Sequence, residues 1–211
     1  MTDFSNTRDM FDIPEGMIYL NGNSLGPMPR AAPAAISRFM LDEWRTELIK
    51  GWNTRGWFNQ GNELGDRIGR LIGAAKGTTV VGDTLSIKVF QAVAAGMALT
   101  PDRRTILSDS GNFPTDLYMT EGLIKLKDAG YVLQTPAPED LLDHITDDIA
   151  VVLVTEVDYR TGRKHDMKAI IDKAHAHGAM VVWDLAHSAG AVPVDVGGLD
   201  ADFAVGCTYK F

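Results

Sequence analysis

The sequence predicts an α/β protein, three-layered with a mostly parallel sheet, and three observations carry that reading. The run Ile149-Ala150-Val151-Val152-Leu153-Val154 is apolar without alternation, as expected of a strand covered on both faces. Similar runs are separated by stretches with helical spacing, the pattern of a sheet flanked by helices. Apolar residues make up 45% and charged residues 23%, ordinary globular composition that argues against disorder.

Taken in order, Met17-Ile18-Tyr19-Leu20 leads into Asn21-Gly22-Asn23-Ser24-Leu25-Gly26-Pro27, which is turn chemistry. Pro29 and Pro33 flank a helical pattern with Ile36, Phe39, Met40, Trp44 and Leu48 at three- and four-residue steps. An aromatic-rich loop follows from Gly51 to Asn59, then a helix with Leu64, Ile68, Leu71 and Ile72 on one face. Thr78–Val81 reads as a strand, Leu85–Leu99 as a helix, Thr105–Leu107 as a strand and Thr115–Ala129 as a helix after Pro114. Tyr131–Leu133 is the next strand, Glu139–Ile145 a short helix, and Ala150–Val154 a fully apolar strand. Asp166–His177 is a helix closed by Gly178, Met180–Trp183 a strand ending in Asp184, and Ala201–Val205 the last strand. Strand order is not set by these patterns. No repeat, low-complexity tract or linker interrupts the chain.

The chain has 211 residues, enough for one large domain or one and a half. With 28 acidic against 20 basic side chains its formal charge is -8, which disfavours a nucleic-acid partner. The single cysteine, Cys207, excludes an internal disulfide. Met1-Thr2-Asp3-Phe4-Ser5 carries no secretory pattern, and no apolar run is long enough to span a bilayer. A cytoplasmic protein without a membrane partner is expected.

In open parallel sheets, ligands bind outside the carboxyl ends of the strands. The segments there are Gly82–Ser86, Asn112–Asp116, Thr155–Asp158, Asp184–His187 and Cys207–Lys210. Gly82–Ser86 enters a helix, where free N–H groups suit a phosphate, although a plain N-cap explains it equally. Neither a G-x-G-x-x-G nor a Walker motif is present, so nicotinamide and ATP sites are disfavoured. Phe113 is either a core aromatic or a ring face for a planar cofactor, and Asp116 is favoured by the helix dipole in both cases. Asp184 closes an apolar strand, where a carboxylate needs a cationic partner such as a protonated pyridine nitrogen, or else caps the next helix. His187 follows three residues later. Lys210, beyond the last strand, is a surface lysine or one that forms a Schiff base with an aldehyde cofactor.

In this chain order the residues resemble the fold-type-I enzymes that use pyridoxal 5'-phosphate, and most closely the kynureninase family. The matching segments are Ile18–Pro27, Phe113-Pro114-Thr115-Asp116, Asp184-Leu185-Ala186-His187 and Thr208-Tyr209-Lys210. The resemblance implies that Lys210 holds the cofactor covalently and that Leu85 (through its backbone) and Ser86 receive the phosphate, with Tyr209 nearby. It implies Phe113 stacked on the pyridine ring, Asp184 at the ring nitrogen, and Asp116, Thr155 and His187 at further cofactor-contacting positions, with no metal. Lys210 and Tyr209 are the implied catalytic pair, the second as a proton donor. The loop bearing Trp52, Asn53 and Trp57 falls where the family shapes its substrate pocket, or else fills a subunit interface.

The implied reaction is hydrolysis of L-kynurenine or its 3-hydroxy derivative to an anthranilate and L-alanine, in tryptophan catabolism and NAD biosynthesis, by a homodimer. Residues 1–60 are expected to form an N-terminal helical segment with a substrate-side loop, and 61–211 the cofactor-binding large domain. Family members continue into a smaller domain after the lysine, whereas this sequence stops at Phe211. A fragment, inactive alone, or a chain completed by a partner is expected. The alternatives are an aminotransferase, a cysteine desulfurase, for which Cys207 reads as too buried, and a non-catalytic cofactor-binding fragment.

Overall fold

The computed structural model describes residues 6–211; the first five residues, read above for a targeting signal, lie outside the described residues. In chain order the helices are α1 (Ala32–Arg38), α2 (Arg45–Glu47), α3 (Gly51–Thr54), α4 (Gln60–Leu71), α5 (Leu85–Leu99), α6 (Pro114–Lys127) and α7 (Met167–Ala176). The strands are β1 (Thr105–Leu107), β2 (Val132–Gln134), β3 (Ile149–Thr155), β4 (Met180–Asp184) and β5 (Phe203–Val205). They form a sheet of order β2-β1-β3-β4-β5 with every pairing parallel.

The apolar run in β3 is explained by its place. It is the middle strand, all seven residues are buried, and its side chains feed two cores. One core packs Val89, Val93 and Met97 of α5 and Leu123 of α6 against Ile106, Val151, Leu153 and Val182. The other packs Ile170, Ile171 and Ala174 of α7 against Val152, Val154, Val181 and Trp183. Helices therefore cover both faces, and the expected three-layer architecture is present. The edge strands β2 and β5 are only partly covered.

Local chemistry sets the helix ends. Asp166 caps α7 by accepting the Ala169 N–H at 3.1 Å, and Gly178 follows with φ of +68°. Phe113 precedes Pro114 with extended backbone, and Asn112 Oδ1 accepts the Phe113 N–H at 2.7 Å.

Two expectations are corrected. Thr78–Val81 is not a strand of the sheet: it runs extended over α4, where Val81 N–H donates to the Gly61 carbonyl at 3.0 Å. The reason is a glycine face. A Cβ on Gly61 or Gly65 would collide with the backbone of Val81 or Thr79. The second correction concerns residues 32–50, which do not form one regular helix. After α1 the backbone widens into a π-helical stretch, Phe39–Trp44, and after α2 it reverses at Leu48 with φ of +49°. The apolar residues that gave the helical spacing, Ile36, Phe39, Met40, Trp44 and Leu48, are exposed.

Candidate active site

The direction in which strands are added reverses between β1 and β3: β2 lies to one side of β1, and β3, β4 and β5 follow on the other. Such a switch leaves a crevice at the carboxyl edge of the sheet. The segments after β1, β3, β4 and β5 all end there.

Asn112 joins the first two. Its Nδ2 donates to Ser108 Oγ at 2.9 Å and to the Leu153 carbonyl at 3.2 Å, while its Oδ1 accepts from Thr155 Oγ1. Thr155 lies 3.4 Å from Asp184 Oδ2, and Asp184 Oδ1 accepts the Ala186 N–H at 2.8 Å. The carboxylate at the end of β4 is thus held by a hydroxyl and an amide.

Asp116, from the first turn of α6, is fully buried, and neither of its oxygens has a hydrogen-bond partner. Burial and the nearby Asp184 charge push its carboxyl up to about 8, against an opposing pull from Lys210. Burial likewise raises Asp184 to about 6, tempered by the Ala186 amide, Lys210 and Thr155. Near neutral pH the pair therefore carries a single negative charge, on Asp184, with Asp116 protonated.

Lys210 is 7% exposed and its Nζ lies 2.7 Å from His187 Nε2. The same nitrogen stands 5.5 Å from the centre of the Phe113 ring. Burial, and then the Lys210 charge, lower the His187 imidazole from its ordinary value. A neutral His187 accepts the lysine proton at Nε2 and carries its own hydrogen on Nδ1, which is buried and unpartnered. Burial and the nearby Cys207 raise the Tyr209 phenol.

Around Lys210 lies a cavity of about 240 Å³ lined by Asn23, Ser24, Phe113, Tyr159, His187, Tyr209 and Lys210. A larger hollow of about 450 Å³ among Met28, Pro33, Ile36, Ser37, Met40 and Leu41 holds no titratable side chain.

Leu85 and Ser86 sit apart from this lining but on the same edge. The C-terminal part of α5 meets the early residues of the strands, with Gly96 against Val151 and Met180, and Thr100 Oγ1 bonded toward Ala150. Its N-terminus therefore points back to the carboxyl edge. Thr84 caps it without a side-chain bond, so the N–H groups of Leu85 and Ser86 are unpaired among the described residues. Those amides, the buried lysine and the Asp116–Asp184 pair fit a phosphorylated pyridine aldehyde: an anion site, an amine for the aldehyde and a carboxylate for the ring nitrogen.

The structure thus brings Phe113, Asp116, Thr155, Asp184, His187, Tyr209 and Lys210 together, and places Leu85 and Ser86 at the same edge. Trp52, Asn53 and Trp57 do not line the cavity. Trp57 folds onto Gly51 and Phe39, and Trp52 is exposed. Cys207 is only half-buried, not a core residue as expected, because β5 is an edge strand. Reading the sequence missed Tyr159 and Asn112 as site residues. Asn112 was signalled by its place between an apolar strand and an X-Pro helix start; Tyr159 had no local signal.

Comparison with known proteins places the chain among similar sequences and folds. Residues 118–211 match the aminotransferase class-V family. A kynureninase of Pseudomonas fluorescens is 47% identical over 209 residues, and one of Burkholderia pseudomallei (strain 1106a) is 49% identical over 209. In both cases the match takes in 97% of this chain and 50% of the relative, so the chain spans about half the length of the curated relatives it matches. Among solved structures, a cysteine desulfurase from Thermococcus onnurineus NA1 superposes with a TM-score of 0.77 at 20% identity, over 100% of this chain and 54% of that one. A cysteine desulfurase of Escherichia coli gives 0.72 at 18%, over 100% of this chain and 55% of that one. These structures share the fold, that of the fold-type-I pyridoxal-phosphate enzymes. At 47% and 49% identity over 97% of its length, the chain is similar to these kynureninases.

Proposed function

We propose that the protein this chain belongs to hydrolyses L-kynurenine, 3-hydroxy-L-kynurenine or both, releasing an anthranilate and L-alanine, with pyridoxal 5'-phosphate as cofactor. The observation that carries the proposal is a buried lysine amine, 2.7 Å from His187 Nε2, at the same sheet edge as the buried carboxyls of Asp116 and Asp184. Bound at this edge, the cofactor supplies an electron sink for the substrate's α-carbon.

Each residue then has a task. Lys210 holds the cofactor and, once released, moves the proton at the substrate α-carbon. His187 Nε2, 2.7 Å from Nζ, accepts a hydrogen bond from that amine and orients it. Asp184 keeps the ring nitrogen protonated, and the neutral Asp116 beside it keeps the pair's charge at one. Thr155 orients Asp184. Leu85 and Ser86 bind the phosphate through N–H groups. Phe113 packs on the ring, and Tyr209 donates a proton in the later steps.

The same proposal includes a homodimer acting in the cytoplasm in tryptophan catabolism, with residues 61–211 as the cofactor-holding domain and 1–60 as an N-terminal helical segment with a substrate-side loop. No helix among the described residues is long and apolar enough to cross a membrane.

The test uses the full-length protein. Wild type incubated with cofactor and borohydride should carry a fixed adduct that Lys210→Ala lacks, and should release anthranilate from L-kynurenine. An adduct undiminished in Lys210→Ala would exclude this lysine. Formation of kynurenic acid in place of anthranilate would indicate aminotransfer instead.

A further inference from the structure

We propose that Tyr159 is a specificity-determining residue whose ring takes the aromatic side chain of the substrate; this rests on the cofactor and substrate reading above. Tyr159 stands in a tight turn between Val157 and Lys164, which face each other as an antiparallel pair. Asp158 braces the turn from within: its Oδ1 accepts the N–H of Arg160 at 2.7 Å and of Thr161 at 3.0 Å. Gly162, with φ of +71°, lets the chain return.

The base of the turn is anchored by buried charge. Lys164 Nζ lies 3.1 Å from Oε1 of Glu156, a carboxylate with no exposure, and His165 Nε2 lies 2.8 Å from Asp109 Oδ2. Buried charges of this kind are tolerated only when the geometry is held, so the turn is a stiff mount. None of these groups enters the proposed chemistry. What the mount presents to the cavity is Tyr159.

The ring position shows what it would meet. Its centre is 5.1 Å from that of Phe113, edge-on, and 6.2 Å from that of His187, with the planes only 27° apart. Phe113 and His187 both reach the Lys210 amine, whereas Tyr159 makes no cation–π contact with it. Tyr159 therefore stands one layer further from the reacting centre, where a side chain extends away from the α-carbon. It is 38% exposed, with the Arg160 guanidinium 5.4 Å from its ring centre. Its hydroxyl makes no hydrogen bond among the described residues, so the ring is the part being positioned. A planar side chain entering this cavity gains a stacked or edge contact that an aliphatic one does not.

The experiment compares full-length wild type with Tyr159→Ala, Tyr159→Leu and Tyr159→Phe, each loaded with cofactor. Tyr159→Ala and Tyr159→Leu should raise KM for L-kynurenine about tenfold, the size of one well-placed aromatic contact, with kcat within about threefold. Tyr159→Phe should stay within about twofold of wild type, because it keeps the ring. Affinity for L-alanine, followed by the cofactor's absorbance, should not change in any variant, since L-alanine has no aromatic group. An unchanged KM in Tyr159→Ala, a Tyr159→Phe variant as impaired as Tyr159→Ala, or a parallel loss of L-alanine affinity would each overturn the inference. Wild type that forms no borohydride-fixed adduct would overturn the cofactor reading and this inference together; an adduct with unchanged KM overturns this inference alone.

Discussion

Asp116 has no hydrogen-bond partner and sits fully buried beside a second carboxylate, so it pulls on the molecule's stability through protons. Its carboxyl is raised from 3.8 to about 8, and that of Asp184 from 3.8 to about 6. The folded protein therefore retains protons that the unfolded chain has already released. Stability from these groups is fully present below about pH 4 and is lost as pH rises through about 6 and about 8. Asp116→Asn, which keeps the shape without the acid, should flatten the fall in urea midpoint of the cofactor-free protein across this range. A slope equal to that of wild type would mean that Asp116 is not the group titrating. Asp184 was legible in the sequence because a carboxylate ending Met180-Val181-Val182-Trp183 needs either a cationic partner or a helix to cap. Asp116 was visible from its own chemistry only as a helix-dipole residue, and its place by the cofactor only through the resemblance, since its nearness to Asp184 depends on α6 packing against the sheet. Tyr159 was invisible because the contacts that define it, with Phe113 and His187, join separate strand ends.

Strand and helix identities read well wherever burial is two-sided. β3 and β4, with α7 between them, were legible because their apolar patterns answer to the two cores they fill. Thr78–Val81 was misread because β-branched residues also suit an extended segment laid over a helix. The signal that separates the cases is in the partner: Gly61, Gly65 and Gly69 recur at four-residue steps along one face of α4. Two alanine substitutions should show how much this matters. Gly122, inside α6, has nothing within 4 Å of an added Cβ, so Gly122→Ala should stabilise by about 0.5–1 kcal/mol. Gly65 meets the Thr79 carbonyl, so Gly65→Ala should destabilise by about 1–3 kcal/mol although it improves helix propensity equally. Denaturant midpoints give both values. Shifts of the same sign at the two positions would show that the segment over α4 yields freely and that the glycine face is not what seats it.

At the scale of the whole molecule the site depends on a contact between distant parts of the chain. The Asn-Gly-Asn-Ser-Leu-Gly turn, legible as turn chemistry and as part of the family resemblance but not as a wall of the site, brings Asn23 and Ser24 to the Lys210 cavity. It is held there by Gly26, whose N–H donates to the Tyr209 carbonyl at 2.7 Å. A Cβ on Gly26 would lie 2.8 Å from the Lys210 carbonyl oxygen and 3.3 Å from that of Tyr209. Both neighbours are backbone, so Gly26→Ala must displace either the turn or the segment that carries the lysine. Movement of the turn opens the cavity on the side lined by Asn23 and Ser24. Movement of the segment shifts Nζ away from His187 and Phe113. In either case cofactor affinity should fall by about tenfold or more, because a misplacement of about 1 Å costs orders of magnitude where groups must be aligned. The two cores lie away from this contact, so the thermal midpoint without cofactor should move by only a few degrees. Titrating cofactor into wild type and Gly26→Ala while following absorbance, with a melt of each cofactor-free protein alongside, separates the outcomes. Equal affinities would show that the turn rests on the site without shaping it. A cofactor-free melt lowered as far as that of Gly65→Ala would mean that the contact between the N-terminal turn and Lys210 supports the fold rather than the cofactor.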